Sequence, residues 1–548
     1  MHRCLEIPEI LSLICDEYDG PYRTSSSPPT LAALARSCKS FTETALRALW
    51  RQQTSLNPLL RLMPPDLLKS PDSNLHPQTR KWQLLRPIMA TDWERAKLYA
   101  ARVRGLTMSS SAWVQITEIL PILSACSPSG FIFPCLLAFT LRTSWSYDNV
   151  SSVRAFLPPT LTKLVYSCRF TLPAASLLSV IPSTCPSLRH VNIFVAAVDA
   201  LIEPAPAISS FLGGLHHLVS LSMHRSECTL PTILHLGQLS TLTCLELSSI
   251  PAAVSSLPSD HPPLFPSLQS LAVFSIEVRL ASGLITRCTN AHLASLSFTF
   301  ASHATHADLE LLYDALRTSC SHKTLQRLEL QDSETIAPPP TGSAKYGLTR
   351  SVLNKLSVFS ALENLSIRTF SLDIDDKAAA ELTTSWPELT SLELAAIDIE
   401  LWIAEPQLTV HSLSSIAKNC PRLATLDIQL NATAVDFDDE NENWTEVNLT
   451  TPLPARVING SLGTLDVELS PITDPPVVAR FLSGLFPNLR YITTNYENHA
   501  DSDEELSPVS LERHALWKQV QDQIPHFVAA RREEFARGAH AVYVYEDI

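Results

Sequence analysis

Glycine is scarce in this chain, and its scarcity argues against several chemical functions. Only 13 of the 548 residues are glycine, and no glycine cluster of the nucleotide-binding type occurs. The sequence also lacks a Cys-x-x-Cys pair, which argues against a zinc module. It has no dense run of lysine and arginine, and its formal net charge is −14. Binding to nucleic-acid phosphates, which needs clustered positive charge, is therefore disfavoured.

Long hydrophobic runs are missing as well. No segment approaches the length that crosses a bilayer, and the first residues show no apolar core of a secretory signal. The 12 cysteines are scattered, which is typical of small core residues in a reducing compartment. We therefore expect a cytoplasmic or nuclear protein that does not bind to membranes.

Catalytic motifs are absent too. There is no Gly-x-Ser-x-Gly elbow, and no cysteine has a histidine and an acid at a known motif spacing. His303, His306 and Asp308 have metal-like spacing, but on a helix Asp308 turns away from the two histidines, so we interpret them as a polar helix start. The sequence predicts no enzyme activity, no cofactor and no metal site.

What the sequence does contain is a repeated apolar motif, Leu-x-x-Leu-x-Leu, and each copy of this motif is called a word here. Clear copies begin at Leu242, Leu325, Leu389 and Leu423. The last three positions of each copy alternate apolar, polar and apolar, as in a strand with one buried face. One such strand cannot bury its leucines, whereas stacked copies can, so the repetition predicts a solenoid. Leading positions of the copies are Val103, Leu136, Leu161, Leu188, Leu218, Leu242, Leu268, Leu293, Leu325, Leu362, Leu389, Leu423, Leu462 and Leu489.

This region resembles the leucine-rich repeat family over about residues 101–495. The resemblance implies an α/β solenoid with a parallel concave sheet and outer helices. The family prefers Asn or Cys three residues after the last apolar position, and among the copies compared only Asn431 conforms. The segment 431–450, rich in Asp and Glu, is interpreted as a solvated loop.

The remaining segments are predicted to be helical or linking. Residues 1–54 form one small helical domain, with one helix over 8–18 and one or two helices over 31–50. Residues 55–100 form a connector that is helical around Trp82–Ala101. Residues 496–548 form an acidic linker and a capping helix that begins near Ser507-Pro508, and Pro525 is expected to end or kink that helix.

The N-terminal segment, about Leu5 to Arg51, resembles an F-box. The residues that carry the resemblance are Ile7-Pro8-Glu9-Ile10-Leu11 followed by a helix, then Leu34, Cys38 and Phe41, and finally Leu49-Trp50. An F-box followed by leucine-rich repeats is similar to the substrate receptors of Skp–cullin–F-box ubiquitin ligases, a type abundant in fungi. The alternative is a leucine-rich repeat scaffold whose N-terminal helices only cap the first repeat and which has no role in ubiquitin transfer.

The resemblance implies that apolar residues of the F-box bind a Skp-type adaptor. About half of them are expected to lie inside the small domain, since it must bury a core of its own. The candidates are Ile7, Pro8, Ile10, Leu11, Ile14, Leu34, Phe41 and Trp50.

The solenoid is predicted to bind the protein substrate. The residue between the last two apolar positions of each word points away from the core. Five of these positions are acidic, namely Glu246, Glu329, Glu393, Asp427 and Asp466. We hypothesise that they form an acidic stripe that selects a basic segment of the substrate. Two open points accompany the hypothesis: Arg327 and Arg368 lie at neighbouring outward positions, and the charges are equally consistent with a solvated face that has no partner.

Overall fold

The fold was analysed in a computed structural model of the chain. It describes residues 7–17, 27–72, 80–142, 150–198, 203–258, 260–288, 292–333, 348–369, 372–396, 406–433, 457–468, 470–494 and 508–544. The predicted acidic loop 431–450 lies outside these residues beyond position 433, and so does the acidic run Asp501–Glu505.

Helices and short strands alternate along most of the chain. The α-helices are Pro8–Glu17 (α1), Ser27–Ser37 (α2), Lys39–Arg51 (α3), Asn57–Leu60 (α4), Trp93–Ala100 (α5), Ser110–Val114 (α6), Leu120–Ala125 (α7), Leu172–Thr184 (α8), Pro204–Gly213 (α9), Leu230–Gly237 (α10), Val278–Arg287 (α11), His306–Ser319 (α12), Arg350–Leu353 (α13), Asp376–Thr383 (α14), Ser412–Asn419 (α15), Pro475–Leu485 (α16) and Pro508–Val544 (α17). Single turns of 3₁₀-helix occur at Ala90–Asp92 and Ala252–Val254, and longer ones at Val150–Phe156 and Asn354–Val358.

The strands are mostly three to nine residues long. They are Gln52–Gln53 (β1), Leu68–Lys69 (β2), Gln83–Leu84 (β3), Gly105–Met108 (β4), Ala138–Arg142 (β5), Lys163–Phe170 (β6), His190–Val198 (β7), Ser220–His224 (β8), Cys244–Ser249 (β9), Ser270–Ile276 (β10), Ser295–Phe300 (β11), Arg327–Asp332 (β12), Leu348–Thr349 (β13), Asn364–Thr369 (β14), Leu372–Asp373 (β15), Ser391–Ala396 (β16), Thr425–Ile428 (β17), Thr464–Asp466 (β18) and Tyr491–Thr493 (β19). Two small pairings stand apart, with β2 antiparallel to β3 and β13 parallel to β15.

The chain divides into two compact units, one ending at Pro251 and the other beginning at Ala252. In the first unit, parallel strands follow the order β1-β4-β5-β6-β7-β8-β9. In the second unit they follow the order β10-β11-β12-β14-β16-β17-β18-β19. Parallel neighbours joined by helical crossovers are the architecture of a leucine-rich repeat solenoid, so the predicted fold class is confirmed.

The repeat words account for the strands. Each of the 14 predicted words is followed by a strand that begins two residues after the leading position. The leading residues are buried throughout, from Val103 at 0% exposure to Leu489 at 5%. Because these residues lie at the start of the strands, they form an apolar layer within each unit. Six of the ten described cysteines are buried, in agreement with the predicted role as core residues.

The N-terminal helices form a small module with its own core. Helices α2 and α3 pack on each other, and α1 packs on α3. Its core is made of Cys15, Leu31, Ala35, Ala45 and Ala48. The module passes directly into the sheet, because β1 follows α3 without a gap and pairs with β4. The predicted domain boundaries at residues 54, 100 and 495 remain predictions.

Two local predictions need correction. The predicted helix around Trp82–Ala101 is a helix only from Trp93 to Ala100, and Gln83–Leu84 is a strand paired with Leu68–Lys69. A proline at position 87 and the charge pairing of Arg86 with Asp92 explain why the helix starts later. Helix α17 does not end at Pro525, since it continues past it to Val544, and the predicted alternative of a kink there stays a prediction.

Helix α17 covers the last strand of the second unit. Trp517 is 1% exposed, and its Nε1 donates to the carbonyl of Ser470 at 2.9 Å. The main-chain N–H of Ile492 in β19 donates to Oε1 of Gln521 at 2.8 Å, and the carbonyl of Ile492 accepts from Nζ of Lys518 at 2.7 Å. Side chains of one helix therefore satisfy the outer hydrogen-bonding edge of this strand. Of the helices in the described ranges, none is both long and apolar enough to cross a bilayer.

Candidate functional site

Helix α1 presents two apolar faces. Leu11 and Cys15 turn inward and are 4% and 1% exposed. Ile7, Leu13 and Ile14 are exposed to 44%, 70% and 40%, and Ile10 is half-buried. Successive residues of an α-helix are rotated by 100° about its axis, so the exposed apolar residues lie on one arc of the helix surface. This arc is next to the arc formed by the buried residues Leu11 and Cys15. The polar residues Ser12 and Asp16 occupy the remaining side. The helix thus carries more apolar surface than its own module covers.

The predicted adaptor anchors separate into inner and outer residues. Leu11 and Trp50 are buried, and the Trp50 ring lies 4.9 Å from that of Tyr99, so these two residues stabilise the interior and offer no free surface. Leu34 packs against the core of the module. Phe41 is half-buried, and the side chain of Pro8 lies outside the described residues. Of the eight candidates, Ile7, Ile10 and Ile14 are the ones found on the outer arc of α1.

Sequence reasoning missed Leu13, the most exposed large apolar residue of α1. Its position, three residues after Ile10, was the signal that was available. Residues three and four apart share one face of a helix, and the arc that contains Ile10 and Ile14 also includes position 13.

The residues between the last two apolar positions of each word lie side by side. In the second unit the register pairs Ser297 with Glu329, Glu329 with Ser366 and Ser366 with Glu393. It continues from Glu393 to Asp427 and from Asp427 to Asp466. We call this line of neighbours the outer row. In the first unit, an equivalent line joins Asn192, Ser222 and Glu246.

Three predicted row residues cluster at one end, where they form an acidic centre with Arg368 and Glu468. Arg368 lies on β14, and its Nε is 2.9 Å from Oε1 of Glu393. Its Nη2 donates to Oε1 of Glu468, also at 2.9 Å. The side chain of Glu468 is 2% exposed and that of Arg368 is 26% exposed. One guanidinium therefore faces a group of four carboxylates, namely Glu393, Asp427, Asp466 and Glu468.

Hydroxyl groups fix the outer members of the acidic centre. Ser366 Oγ donates to Oε2 of Glu393 at 2.5 Å, and Thr493 Oγ1 donates to Oδ2 of Asp466 at 2.7 Å. The main-chain N–H of Glu468 donates to Oδ1 of Asp466 at 2.9 Å. Asp427 differs from these carboxylates, because its Oδ1 is buried and accepts no hydrogen bond from the described residues.

Burial is the main cause of the unusual electrostatics of the acidic centre. The pKa of Asp427 is raised to about 8, first by burial and then by the charges of Glu468, Asp466 and Glu393, while Arg368 opposes the rise. The pKa of Glu468 is raised to about 7, first by burial and then by Asp466, again against the effect of Arg368. Near neutral pH, these two carboxyl groups hold protons that a cationic group would displace.

The acidic centre has one feature that sequence reasoning did not find. One oxygen each of Asp427, Asp466 and Glu468 lies within 4.8 Å of the others. Glu468 was missed because it follows β18 in a turn with a φ of 49°, outside the repeated word. The available signal was its acidic side chain two residues after the predicted row residue Asp466.

The other predicted row residues lie apart from this group. Glu329 is exposed and Glu246 is half-buried. Arg368 supplies the neutralising charge that its sequence position suggested. The acidic stripe is thus concentrated at the β14–β18 end of the second unit rather than spread evenly along the row.

The histidine cluster forms a helix start, as predicted. Asp308 accepts from Thr305 Oγ1 at 2.6 Å, and its N–H donates back to that oxygen at 3.3 Å, which makes a capping box at the beginning of α12. Asp308 also pairs with Arg279 at 2.5 Å. The carboxylate of Asp308 therefore contacts the start of α12 and Arg279 of the neighbouring helix α11.

Comparison with known proteins gives similarity in fold only. No protein-family model matches the sequence, and no curated protein matches it. An internalin from Listeria monocytogenes is 15% identical over 72% of this chain and 88% of that chain, with a TM-score of 0.37. A chain in the crystal structure of the Rad7 and Elc1 complex in yeast is 13% identical over 91% of both chains, with a TM-score of 0.33. These values assign no function, and the repeat fold rests on the strand register described above.

Proposed function

We propose that this protein is a substrate receptor of a Skp–cullin–F-box type ubiquitin ligase. In this proposal, the α1–α3 module binds a Skp-type adaptor, and the outer row binds a protein substrate with a basic segment. The protein itself performs no catalysis and carries no cofactor. The proposal combines the F-box resemblance of residues 5–51 with the repeat fold that follows it.

The observation that carries the proposal is the uncovered apolar arc of α1. Ile10, Leu13 and Ile14 of α1, together with Ile7 just before the helix, form a stripe next to the polar residues Glu9 and Ser12. A helix that packs only on its own module buries its apolar side, whereas this one leaves most of it exposed. An apolar stripe with a polar border is the form that helix-to-helix protein interfaces take.

The substrate side of the proposal is supported by charge. The acidic centre places four carboxylates around one arginine, and burial together with the neighbouring carboxylates raises the pKa values of Asp427 and Glu468. A lysine or arginine side chain from a partner supplies the missing charge. Charge complementarity of this kind selects partners and speeds their association.

The alternative, a repeat scaffold with an N-terminal cap, also has structural support. Glu43 of α3 accepts from Nη2 of Arg102 at 2.7 Å, Trp50 packs on Tyr99, and β1 pairs with β4. These contacts attach the module to the first repeats. A cap requires such contacts, but it does not require an exposed apolar arc on α1.

Adaptor binding separates the two functions. The full chain is mixed with a purified Skp-type adaptor, and binding is measured by pull-down and by calorimetry. The Leu13→Asp and Ile14→Asp variants are expected to lose affinity by about 2 kcal/mol or more each, as for interface anchors. Leu172→Asp is the matched control, because Leu172 is 69% exposed and Leu13 is 70% exposed. The receptor function would be refuted if the wild-type chain did not bind the adaptor. It would also be refuted if the Leu13→Asp variant bound the adaptor as tightly as the control variant.

A further inference from the structure

An arginine-lined cleft lies in the first unit where the helical module meets the first repeats. Its volume is about 730 Å³. Ser12 and Asp16 of α1 line one side, α3 contributes another, and the segments that lead into β4 and β5 complete it. It lies on the polar side of α1, opposite the apolar arc to which the proposed function assigns the adaptor. The cleft is therefore distinct from both surfaces discussed so far.

Positive charge dominates the lining of this cleft. Four arginines contribute to it, namely Arg47, Arg51, Arg102 and Arg104, against two carboxylates, Asp16 and Glu43. The surplus of two positive charges contrasts with the net charge of −14 for the whole chain. Positive charge collected in one cleft of an acidic protein attracts anions.

The carboxylates of the cleft hold the arginines in place without neutralising all of them. Arg51 pairs with Asp16 at 2.8 Å. Glu43 is shared, because Oε1 accepts from Nε of Arg47 at 3.1 Å and Oε2 accepts from Nη2 of Arg102 at 2.7 Å. These contacts lower the pKa of Glu43, chiefly through the hydrogen bond from Arg102. Because the guanidinium groups of Arg47 and Arg102 share the single carboxylate of Glu43, one positive charge remains uncompensated.

The second excess charge belongs to Arg104. Among the described residues, its guanidinium contacts main-chain carbonyls, with Nη1 donating to Ala101 at 2.7 Å and Val103 at 3.2 Å. Carbonyl groups fix its orientation but cancel no charge. Nε of Arg102 is buried and has no hydrogen-bond partner in the described structure. The wall of the cleft thus contains both an uncompensated cation and an unused donor.

We propose that this cleft binds a phosphate group. A phosphate monoester carries close to two negative charges at neutral pH and three acceptor oxygens, which match the surplus of two charges. Guanidinium groups bind phosphate oxygens in pairs of parallel hydrogen bonds, so arginines already held by Asp16 and Glu43 are suited to this ligand. The phosphate comes either from a soluble metabolite or from a phosphorylated residue of a protein, and both sources present the same chemistry.

Binding in this cleft has a structural consequence. The lining residues come from α1 and α3 of the module and from the segments before β4 and β5 of the repeats. An anion that contacts Arg47 and Arg104 together joins these two parts of the first unit. It thereby fixes the helices that carry the apolar arc with respect to the first repeat strands.

Direct titration of the full-length protein tests the proposal. Pyrophosphate and a short phosphoserine peptide are titrated separately into the protein, and heat and thermal unfolding are recorded. Arg104→Gln and Arg47→Gln are expected to weaken binding of the active probe by at least about tenfold each, as loss of a charged hydrogen-bond donor does. Arg189→Gln is the matched control, since Arg189 is an exposed arginine of the same unit outside the cleft.

Each outcome either supports or overturns the proposal that the cleft binds phosphate. Loss of binding in both cleft variants but not in the control supports it, and the probe that binds identifies the source as soluble or protein-attached. Binding by neither probe overturns the proposal, and so does an equal loss in Arg189→Gln, which would reflect general attraction of anions. The side chain of Arg47 is 73% exposed, so Arg47→Gln keeps the test valid if Arg104→Gln does not fold. Adaptor binding is measured on the same samples, so failure of the receptor function is recognised separately.

Discussion

Arg368 and Glu468 are separated by 100 positions in the sequence, yet Nη2 of the arginine donates to Oε1 of the glutamate at 2.9 Å. Arg368 lies on β14 and Glu468 follows β18, with β16 and β17 between these strands. The glutamate is almost fully buried, and this arginine is its charged partner. The pair connects four consecutive strands of the second unit across their outer face.

Removing the arginine alone should destabilise the second unit strongly. At pH 9, above the Glu468 pKa of about 7, Arg368→Gln leaves a charged Glu468 buried without its cation, and breaking a buried ion pair in this way costs about 3–5 kcal/mol. Urea unfolding of the variant measures the loss. The double variant Arg368→Gln with Glu468→Gln should recover much of it, because no charge is then left buried. A single variant as stable as wild type would show that the pair contributes nothing.

The acidic centre should make stability depend on pH near neutrality. The folded pKa of Asp427, about 8, exceeds its value in the unfolded chain, about 4. Between these values the folded protein binds more protons than the unfolded one, so the free energy of unfolding falls as pH rises. Asp427→Asn removes the share of this dependence that comes from Asp427 and should stabilise the protein by about 1 kcal/mol or more at pH 8.

Chemical denaturation at pH 5 and pH 8 measures this effect. Glu329→Gln is the control, because Glu329 belongs to the same outer row but is exposed. The control should leave the pH dependence of wild type unchanged. If Asp427→Asn and the control follow the same pH profile, the raised pKa of Asp427 is wrong.

Neutralising the acidic row should weaken capture of a basic segment. The triple variant Glu329→Gln, Glu393→Gln and Asp427→Asn is expected to bind an oligolysine peptide at least about tenfold more weakly, with less dependence on salt than wild type. Fluorescence anisotropy at two salt concentrations measures both quantities.

The control for this experiment neutralises three exposed carboxylates of helix α17, namely Glu512, Glu533 and Glu534. With both triple variants measured at pH 9, above the Asp427 pKa of about 8, the control changes the net charge by a similar amount at a different place. Equal weakening in both triple variants would mean that the peptide senses only overall charge and that the row has no specific role.

The C-terminal helix should be essential to the last repeats. Trp517 is 1% exposed, and its indole nitrogen is hydrogen-bonded to Ser470. Trp517→Ala is expected to cost about 3–5 kcal/mol, as for other large aromatic residues removed from a core. Thermal unfolding measures the cost, and Glu512→Ala, an exposed change on the same helix, should have little effect. Similar melting of the two variants would mean that α17 is not part of the folded core.

The repeat strands could be predicted from the sequence because one physical constraint repeats. Each word needs its leading leucine buried, so the spacing of Leu325, Leu362 and Leu389 determines where strands begin. Helix α12 was predictable for a similar reason, as Thr305 and Asp308 supply a local cap. The connector was harder to predict, because Gln83–Leu84 forms a strand through pairing with Leu68–Lys69, a contact that no local pattern reveals.

The candidate site was only partly predictable, because some of its contacts join residues that are far apart in the sequence. The register of the outer row follows from the repeat, so Glu393, Asp427 and Asp466 were expected to be neighbours. Glu468 lies in a turn whose position depends on contacts with Arg368, one hundred residues away. Equally, no pattern in α1 distinguishes Leu11, which is buried, from Ile14, which is exposed, until α2 and α3 are packed beside it.

The way α17 covers β19 has a consequence for self-association. A bare terminal strand of a parallel sheet is a template on which a strand from another molecule adds, and growth from such ends produces fibres. Here Gln521 and Lys518 already occupy the N–H and C=O groups of Ile492. A second molecule would have to displace these side chains first, so this end of the second unit terminates growth instead of seeding it.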